Sequence, residues 1–280
     1  MIIVKVLGGL GNQLFQYSMG KSVAIRNNVS LKLDVSGFSS YRVHNGFRLD
    51  RFNIDVDIAS RQELKRYTLN PVVRMMMCMG FYKHKSYFKE RRRWAFDASV
   101  FSRSNCYFHG YWQNEKYFSA IRSDLLREVS LRDGLSHESF EFAVRLREMS
   151  NSVSLHVRRG DYLVHPELDV LDVGYYKEAV NFLKLRVFDP TFIIFSDDID
   201  WCKQNFGFIE NAIFAEDVGS EVEEFSLMSM CSHNIIANSS FSWWSAWINK
   251  NSEKIIIAPR RWRNNKALNA SYLPSSWILL

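Results

Sequence analysis

The sequence predicts an α/β protein built as two Rossmann-like lobes with a cleft between them. Three observations carry this reading. The chain opens on a strand, a glycine turn and a helix. From residue 151 onward, short apolar runs alternate with helical stretches. Between these halves, residues 36–110 mix basic segments, aromatic clusters and short apolar runs without a clear rhythm. With 280 residues and 47% hydrophobic content, the chain can bury the core of one large domain or two ordinary ones.

The elements follow in order. Residues 2–7 are apolar and rich in β-branched side chains, as a buried strand requires. Gly8-Gly9-Leu10-Gly11 makes the turn. Asn12 suits the cap of a helix reaching about residue 27, with Leu14, Phe15, Met19 and Val23 among its buried positions. Residues 31–35 alternate as a strand, completing one βαβ unit. A strand is expected at 107–111, with helices at 115–129 and 136–149. Further strands are expected at 153–157, 191–195, 212–215, 234–237 and 254–258. Helices are expected near 174–188, 219–231 and 241–250. Such alternation implies a parallel sheet covered on both faces, whose ligands bind beyond the carboxyl ends of the strands. The boundary between the lobes is placed near residue 150.

Composition narrows the class. Cys78, Cys106, Cys202 and Cys231 are scattered without a C-x-x-C pair, which reads as a reducing compartment. The opening segment lacks the pattern of a secretory signal, and no apolar run approaches a membrane span. The net charge of +6 is unevenly spread: residues 1–150 hold 24 Lys+Arg against 14 Asp+Glu, and the remainder hold 12 against 16. The basic excess peaks at 61–94, around the apolar patch 75–81. It reads either as a solvated surface or as a contact for an anionic membrane or lipid-phosphate-linked acceptor. No nucleic-acid motif accompanies it. Aromatics reach 15%, which serves packing as well as stacking on sugars.

Four motifs carry candidate chemistry. His156-Val157-Arg158-Arg159-Gly160-Asp161 follows an expected strand. A guanidinium placed there suits a diphosphate, because its fork makes two charge-assisted hydrogen bonds, although an Arg–Asp pair that only shapes the loop also fits. Ser196-Asp197-Asp198-Ile199-Asp200 ends another strand and has three readings. Asp198 and Asp200 could hold a divalent metal, Asp197 or Asp198 could accept from the N–H groups of guanine, or the run could cap a helix. Asn238-Ser239-Ser240-Phe241-Ser242 leads a buried strand into a helix, where hydroxyls and free N–H groups make an anion site. Gly8-Gly9-Leu10-Gly11-Asn12-Gln13 permits close backbone approach to a ligand. Leu14 stands where a dinucleotide fingerprint needs its third glycine.

Together the motifs resemble the bacterial α-1,2-fucosyltransferases of glycosyltransferase family 11. G-G-L-G-N-Q-L-F-Q, H-V-R-R-G-D-Y, F-S-D-D and N-S-S-F-S-W-W-S-A-W stand here in the family's order. The resemblance implies a GT-B architecture, with residues 1–150 binding the acceptor and 151–280 binding GDP-fucose. It implies that His156 touches guanosine, Arg158 holds the β-phosphate and Arg159 supports it. Asp197 or Asp198 would read guanine. Asn238, Ser239, Ser240 and Ser242 would form the anion site, and Gly9, Gly11, Asn12 and Gln13 would close over the diphosphate. It also implies an inverting displacement that needs no metal. The acceptor would be a galactose-terminated oligosaccharide, in lipid-linked form, and the product an O-antigen or another surface polysaccharide. The setting would be the bacterial cytoplasm, at the inner membrane face. Asp161 ranks first as general base, ahead of Glu167, Asp169, Asp172 and His44. The rival readings are a metal-dependent transferase using Asp198 and Asp200, and a non-catalytic nucleotide- or glycan-binding protein.

Overall fold

The computed structural model describes residues 1–39, 45–67, 86–168, 171–216, 218–264 and 272–280. His44, Asp169 and the apolar patch 75–81 lie outside the described residues, as does most of the interior of the basic segment 61–94. The chain packs as two compact units, Met1–Glu128 and Val129–Leu280.

The first unit holds a five-stranded parallel sheet in the order β3-β2-β1-β5-β4. Its strands are β1 (Ile2–Lys5), β2 (Leu31–Asp34), β3 (Asp57–Ile58), β4 (Tyr87–Lys89) and β5 (Cys106–His109). Helix α1 (Leu10–Asn27) follows β1 and buries Leu14, Phe15, Met19 and Val23. It starts three residues earlier than expected: extended Gly9 is the cap, so Asn12 already lies inside the first turn. Gly8 has φ +80°, a conformation that favours glycine. Helix α2 (Arg61–Tyr67) follows β3, and α3 (Arg122–Glu128) closes the unit.

The second unit begins with α4 (His137–Glu148), earlier than the boundary expected near 150. The reason is packing. Phe142, Ala143 and Leu146 share a core with Ile193, Phe195, Leu227 and Met228 of the second unit. Its sheet runs β11-β10-β9-β6-β7-β8, all parallel. The strands are β6 (Ser152–Val157), β7 (Thr191–Ser196), β8 (Ile213–Phe214), β9 (His233–Ile235), β10 (Ile256–Ala258) and β11 (Ile278–Leu279). Helices α5 (Val173–Lys184), α6 (Ile199–Asn205), α7 (Glu221–Met230) and α8 (Ser240–Ile248) connect them.

This strand order is the doubly wound one. Connections run outward from β6 through β7 to β8, then return to β9 and run the other way. The switch point therefore lies between β6 and β9, and in open α/β sheets ligands bind beyond the carboxyl ends of the strands at such a point. All six residues of β6 are buried, as a central strand covered on both faces requires. The Rossmann-like α/β class expected from sequence is present in each unit. Among the described residues, no helix is long and apolar enough to cross a membrane.

Candidate functional site

The arginine motif leaves the sheet at the switch point. Arg158 is the first residue past β6, and a 3-10 turn over Gly160–Val164 folds the motif back on itself. The Nε and Nη2 groups of Arg158 donate to Asp161 Oδ1 at 3.0 and 2.6 Å, and Nη1 lies 3.1 Å from Asp197 Oδ2. The neighbouring Arg159 turns to other partners. Its backbone N–H donates to Asp197 Oδ1 at 2.9 Å, and its Nε donates to Asp198 Oδ2 at 3.1 Å. Its guanidinium stacks 3.8 Å from the centre of the Trp201 ring. Asp198 Oδ1 also accepts from Trp201 N at 3.2 Å, capping α6. Both oxygens of Asp197 and both of Asp198 are thus engaged within the loops. The capping reading of this motif is realised, and Asp200 sits in the first turn of α6.

Gly160 has a steric reason. A Cβ there would stand 2.5 Å from Asp197 Oδ2, the oxygen that holds Arg158. The glycine lets the β6 and β7 loops close onto each other.

His156 is buried, and its Nδ1 has no hydrogen-bond partner among the described residues. Burial, with Arg158 adding to it, holds its pKa down to about 3, so the ring is neutral at physiological pH. The ring lies 5.6 Å from that of Phe241, at the start of α8. Neutral, dry and unpartnered, His156 suits contact with an aromatic base better than contact with a phosphate.

The serine motif divides. Ser239 caps α8 and accepts from Phe241 N at 3.3 Å, with no acidic residue in the first turn. Ser240 is the first residue of that helix and half-buried. Ser242 is fully buried, with its hydroxyl directed at the carbonyls of Ala237 and Ser239. Asn238 is buried too, and its Nδ2 donates to the carbonyls of Leu168 at 2.8 Å and Trp262 at 3.0 Å. It ties two loops down beside the switch point. Ser239 and Ser240 stand at the helix start, while Asn238 and Ser242 brace it from within.

The glycine motif belongs to the first unit. Gln13 is buried and braces the turn: its Nε2 donates to the carbonyls of Gly8 at 2.9 Å and Gly46 at 2.8 Å, and its Oε1 accepts from Arg48 N at 2.9 Å. Asn12 Oδ1 accepts from Gln113 Nε2 at 2.7 Å. Gly9 and Gly11 hold the backbone at the helix start, where Gly9 O accepts from the N–H groups of Asn12 and Gln13. Among the described residues, no group of three or more His, Cys, Asp or Glu is arranged to hold a metal.

Two site residues escaped the sequence reading. Tyr162 is 5.7 Å from the Arg158 guanidinium and donates to Asn238 O at 3.2 Å, linking the arginine loop to the start of α8. Glu224, on α7, is half-buried. Burial, with the charge of Asp197, pushes its carboxyl up to about 7 against the opposing pull of Arg158. Three acids open α7. Glu223 serves the capping box with Ser220, so the acids of this turn do not share one task.

A family profile for glycosyl transferase family 11 matches residues 1–280. An α-1,2-colitosyltransferase of Escherichia coli is 34% identical, over 99% of this chain and 98% of its own length. An O-antigen biosynthesis glycosyltransferase of the same species, WbnK, is 30% identical over 98% of each chain. A galactoside α-(1,2)-fucosyltransferase 2 of Rattus norvegicus is 27% identical, over 89% of this chain and 67% of its own. Among solved structures, a mutant of Arabidopsis thaliana FUT1 in complex with GDP covers 99% of this chain and 75% of its own. Its TM-score is 0.52 at 10% identity, a likeness of fold. The chain belongs to glycosyl transferase family 11.

Proposed function

We propose that this family 11 glycosyltransferase moves L-fucose from GDP-β-L-fucose to the 2-hydroxyl of a galactose residue, inverting the anomeric centre. The observation that carries the reading is Arg158. It is a guanidinium fixed by Asp161 and Asp197 at the switch point, beside a helix capped by Ser239 and without an acid in its first turn. A leaving diphosphate needs a preorganised cation and N–H donors, and that edge provides both.

The roles follow from the contacts. Arg158 takes the charge of the leaving diphosphate. Arg159, stacked on Trp201 and paired with Asp198, supports the loop. His156 lies against the guanosine, and Glu224 accepts from the N–H edge of guanine in place of Asp197 and Asp198, whose oxygens are engaged. Asp161 holds Arg158 through Oδ1, and Oδ2 is the oxygen with which it accepts the acceptor's proton late in the displacement. In the first unit, Gln13 frames the turn at which the backbone of Gly9, Gly11 and Asn12 can approach a ligand closely. The mechanism uses no metal, in keeping with the engagement of Asp198 as a helix cap. The acceptor is a lipid-linked surface glycan such as an O-antigen, met at the inner membrane face, as the name of one relative and the basic segment suggest.

The likeness to an α-1,2-colitosyltransferase supports a second reading, in which the donor sugar is colitose on the same nucleotide. The test is a transfer assay with GDP-fucose or GDP-colitose and a panel of galactosides, with and without EDTA. Fucosylated product that survives EDTA supports the first reading and names the acceptor. Transfer from GDP-colitose alone replaces it with the second.

A further inference from the structure

The charge of the arginine cluster does not add up to an anion site by itself. Arg158 and Arg159 face Asp161, Asp197 and Asp198, so the carboxylates outnumber the guanidiniums they orient. Glu224 adds partial negative charge near neutral pH. A multiply charged diphosphate settling here needs positive charge beyond the two arginines of the motif.

A second basic motif lies on the same edge of the sheet. Arg260-Arg261-Trp262-Arg263 follows β10, at the carboxyl ends of the parallel strands and next to β9. Its first two arginines are turned to β11 and to their own segment. Arg260 Nη2 donates to Leu279 O at 3.1 Å, and Arg261 Nη2 donates to Asn264 Oδ1 at 2.9 Å.

Arg263 is held differently, by ties on both sides. Before it, Trp262 O accepts from Asn238 Nδ2 at 3.0 Å, and Asn238 O in turn accepts from Tyr162. After it, Asn264 N donates to Glu167 O at 3.2 Å, and Asn264 Nδ2 donates to Pro166 O at 2.6 Å. The backbone of Arg263 is thereby clamped against the loop that carries Arg158, Asp161 and Tyr162. The hydroxyl of Tyr162 feels the charges of both Arg158 and Arg263, and its side chain also bonds Ser239. Tyr162, bonded at the start of α8, thus lies within the field of both guanidiniums.

We propose that Arg263 is a second diphosphate-binding cation of this enzyme, acting together with Arg158. The proposal rests on the reading of the donor as a GDP-sugar. It assigns Arg158 and Arg263 to the diphosphate, along with the α8 N–H groups, and leaves Arg159 to the loop. Arginine suits the position because its charge persists at any working pH and its fork can grip two phosphate oxygens.

The test compares GDP and GMP as inhibitors of donor turnover in the full chain, for wild type, Arg263→Ala, Arg263→Lys and Arg158→Ala. GMP lacks the β-phosphate, so the ratio of the two inhibition constants reports its grip alone. The expected result is a ratio that falls about tenfold in Arg263→Ala, as for loss of one charge-assisted contact. Arg263→Lys should restore part of it, and Arg158→Ala should also reduce it. A ratio unchanged within about twofold in Arg263→Ala, while Arg158→Ala reduces it, overturns the proposal. So does an equal loss of GDP and GMP affinity in Arg263→Ala, which would mark a structural role. Failure of GDP to inhibit the wild type overturns the donor reading itself, and is seen before any variant is made.

Discussion

The two units share a plan and differ in what they place at its working edge. Each has a parallel sheet whose opening strand runs into a tight turn and is flanked by later strands. In the first unit that turn is held by neutral amides: Gln13 satisfies two carbonyls and one N–H, and Asn12 meets Gln113. In the second, the corresponding loop is held by charges. Arg158, Asp161 and Asp197 keep 27%, 33% and 25% of their side-chain surface open. Buried amides rigidify a backbone at modest energetic risk, because neutral groups lose little on desolvation once paired. Half-open charges contribute little to stability and are retained where a ligand uses them. The contrast teaches that the first turn is built as a frame and the second as a tool.

The sharpest test of that contrast pairs Arg158→Ala with Gln13→Ala. Arg158→Ala is expected to lower kcat about 100-fold or more, as for the loss of one donor to the transition state, and to move the melting temperature little. Steady-state transfer kinetics beside a thermal melt decide it. Near-normal turnover would remove Arg158 from the leaving-group role. Gln13→Ala is expected to do the reverse. It leaves three backbone groups without their partner and should cost about 3 kcal/mol of stability, read from a denaturant midpoint, with kcat within about threefold at temperatures where the protein stays folded.

A smaller effect probes the seam inside the second unit. Asp198 both caps α6 and pairs with Arg159. Asp198→Ala should cost about 1 kcal/mol through the cap. Asp198→Asn keeps a capping oxygen, so it should recover most of that loss. If the two variants melt alike, the capping role is not what the aspartate contributes. A large loss of activity on EDTA treatment, with Asp198→Ala equally inactive, would instead return the metal reading to this motif.

Much of this was legible in the sequence, for physical reasons. Long central strands are β-branched and buried on both faces, so residues 153–157 and 191–195 announced themselves within a residue or two. Arg158 and Asp161 are three residues apart, and their pairing is local. Edge strands such as Asp57–Ile58 and Ile278–Leu279 are too short to show a period. The contacts that assign roles at the site are long-range. Asp197 reaches the arginine loop across 38 residues. Gln13 meets Gly46 across 33, and a polar residue in a glycine turn gives no sign that its amide is already engaged. Nothing in Glu221-Val222-Glu223-Glu224 marks one of its acids as the one that feels the charges of Asp197 and Arg158.

The smallest expected effect is pH dependence confined to the second unit. Glu224 titrates at about 7 in the folded chain, against 4.5 for an ordinary glutamate. Between those values the folded state keeps a proton that the unfolded state has released. The contribution of Glu224 to stability is therefore present below pH 4.5 and fades as pH rises through about 7. His156 runs the other way. It stays neutral down to about 3, whereas an unfolded histidine takes up its proton near 6.5, so stability falls as pH drops below that point. Between pH 5 and 6.5 the two slopes oppose each other in wild type, so its melting temperature should vary little there, whereas in Glu224→Gln, with His156 alone, it should rise with pH up to 6.5 and then level off. Only the ionised carboxylate accepts both N–H groups of guanine, so GDP binding should strengthen several-fold from about pH 6 to pH 8, and Glu224→Gln should lose that slope. Gln13 carries no titratable group, so Gln13→Ala should melt lower at every pH and keep the wild-type slope in both measurements. A slope in GDP affinity that survives Glu224→Gln would move the proton to another group and take guanine recognition away from Glu224.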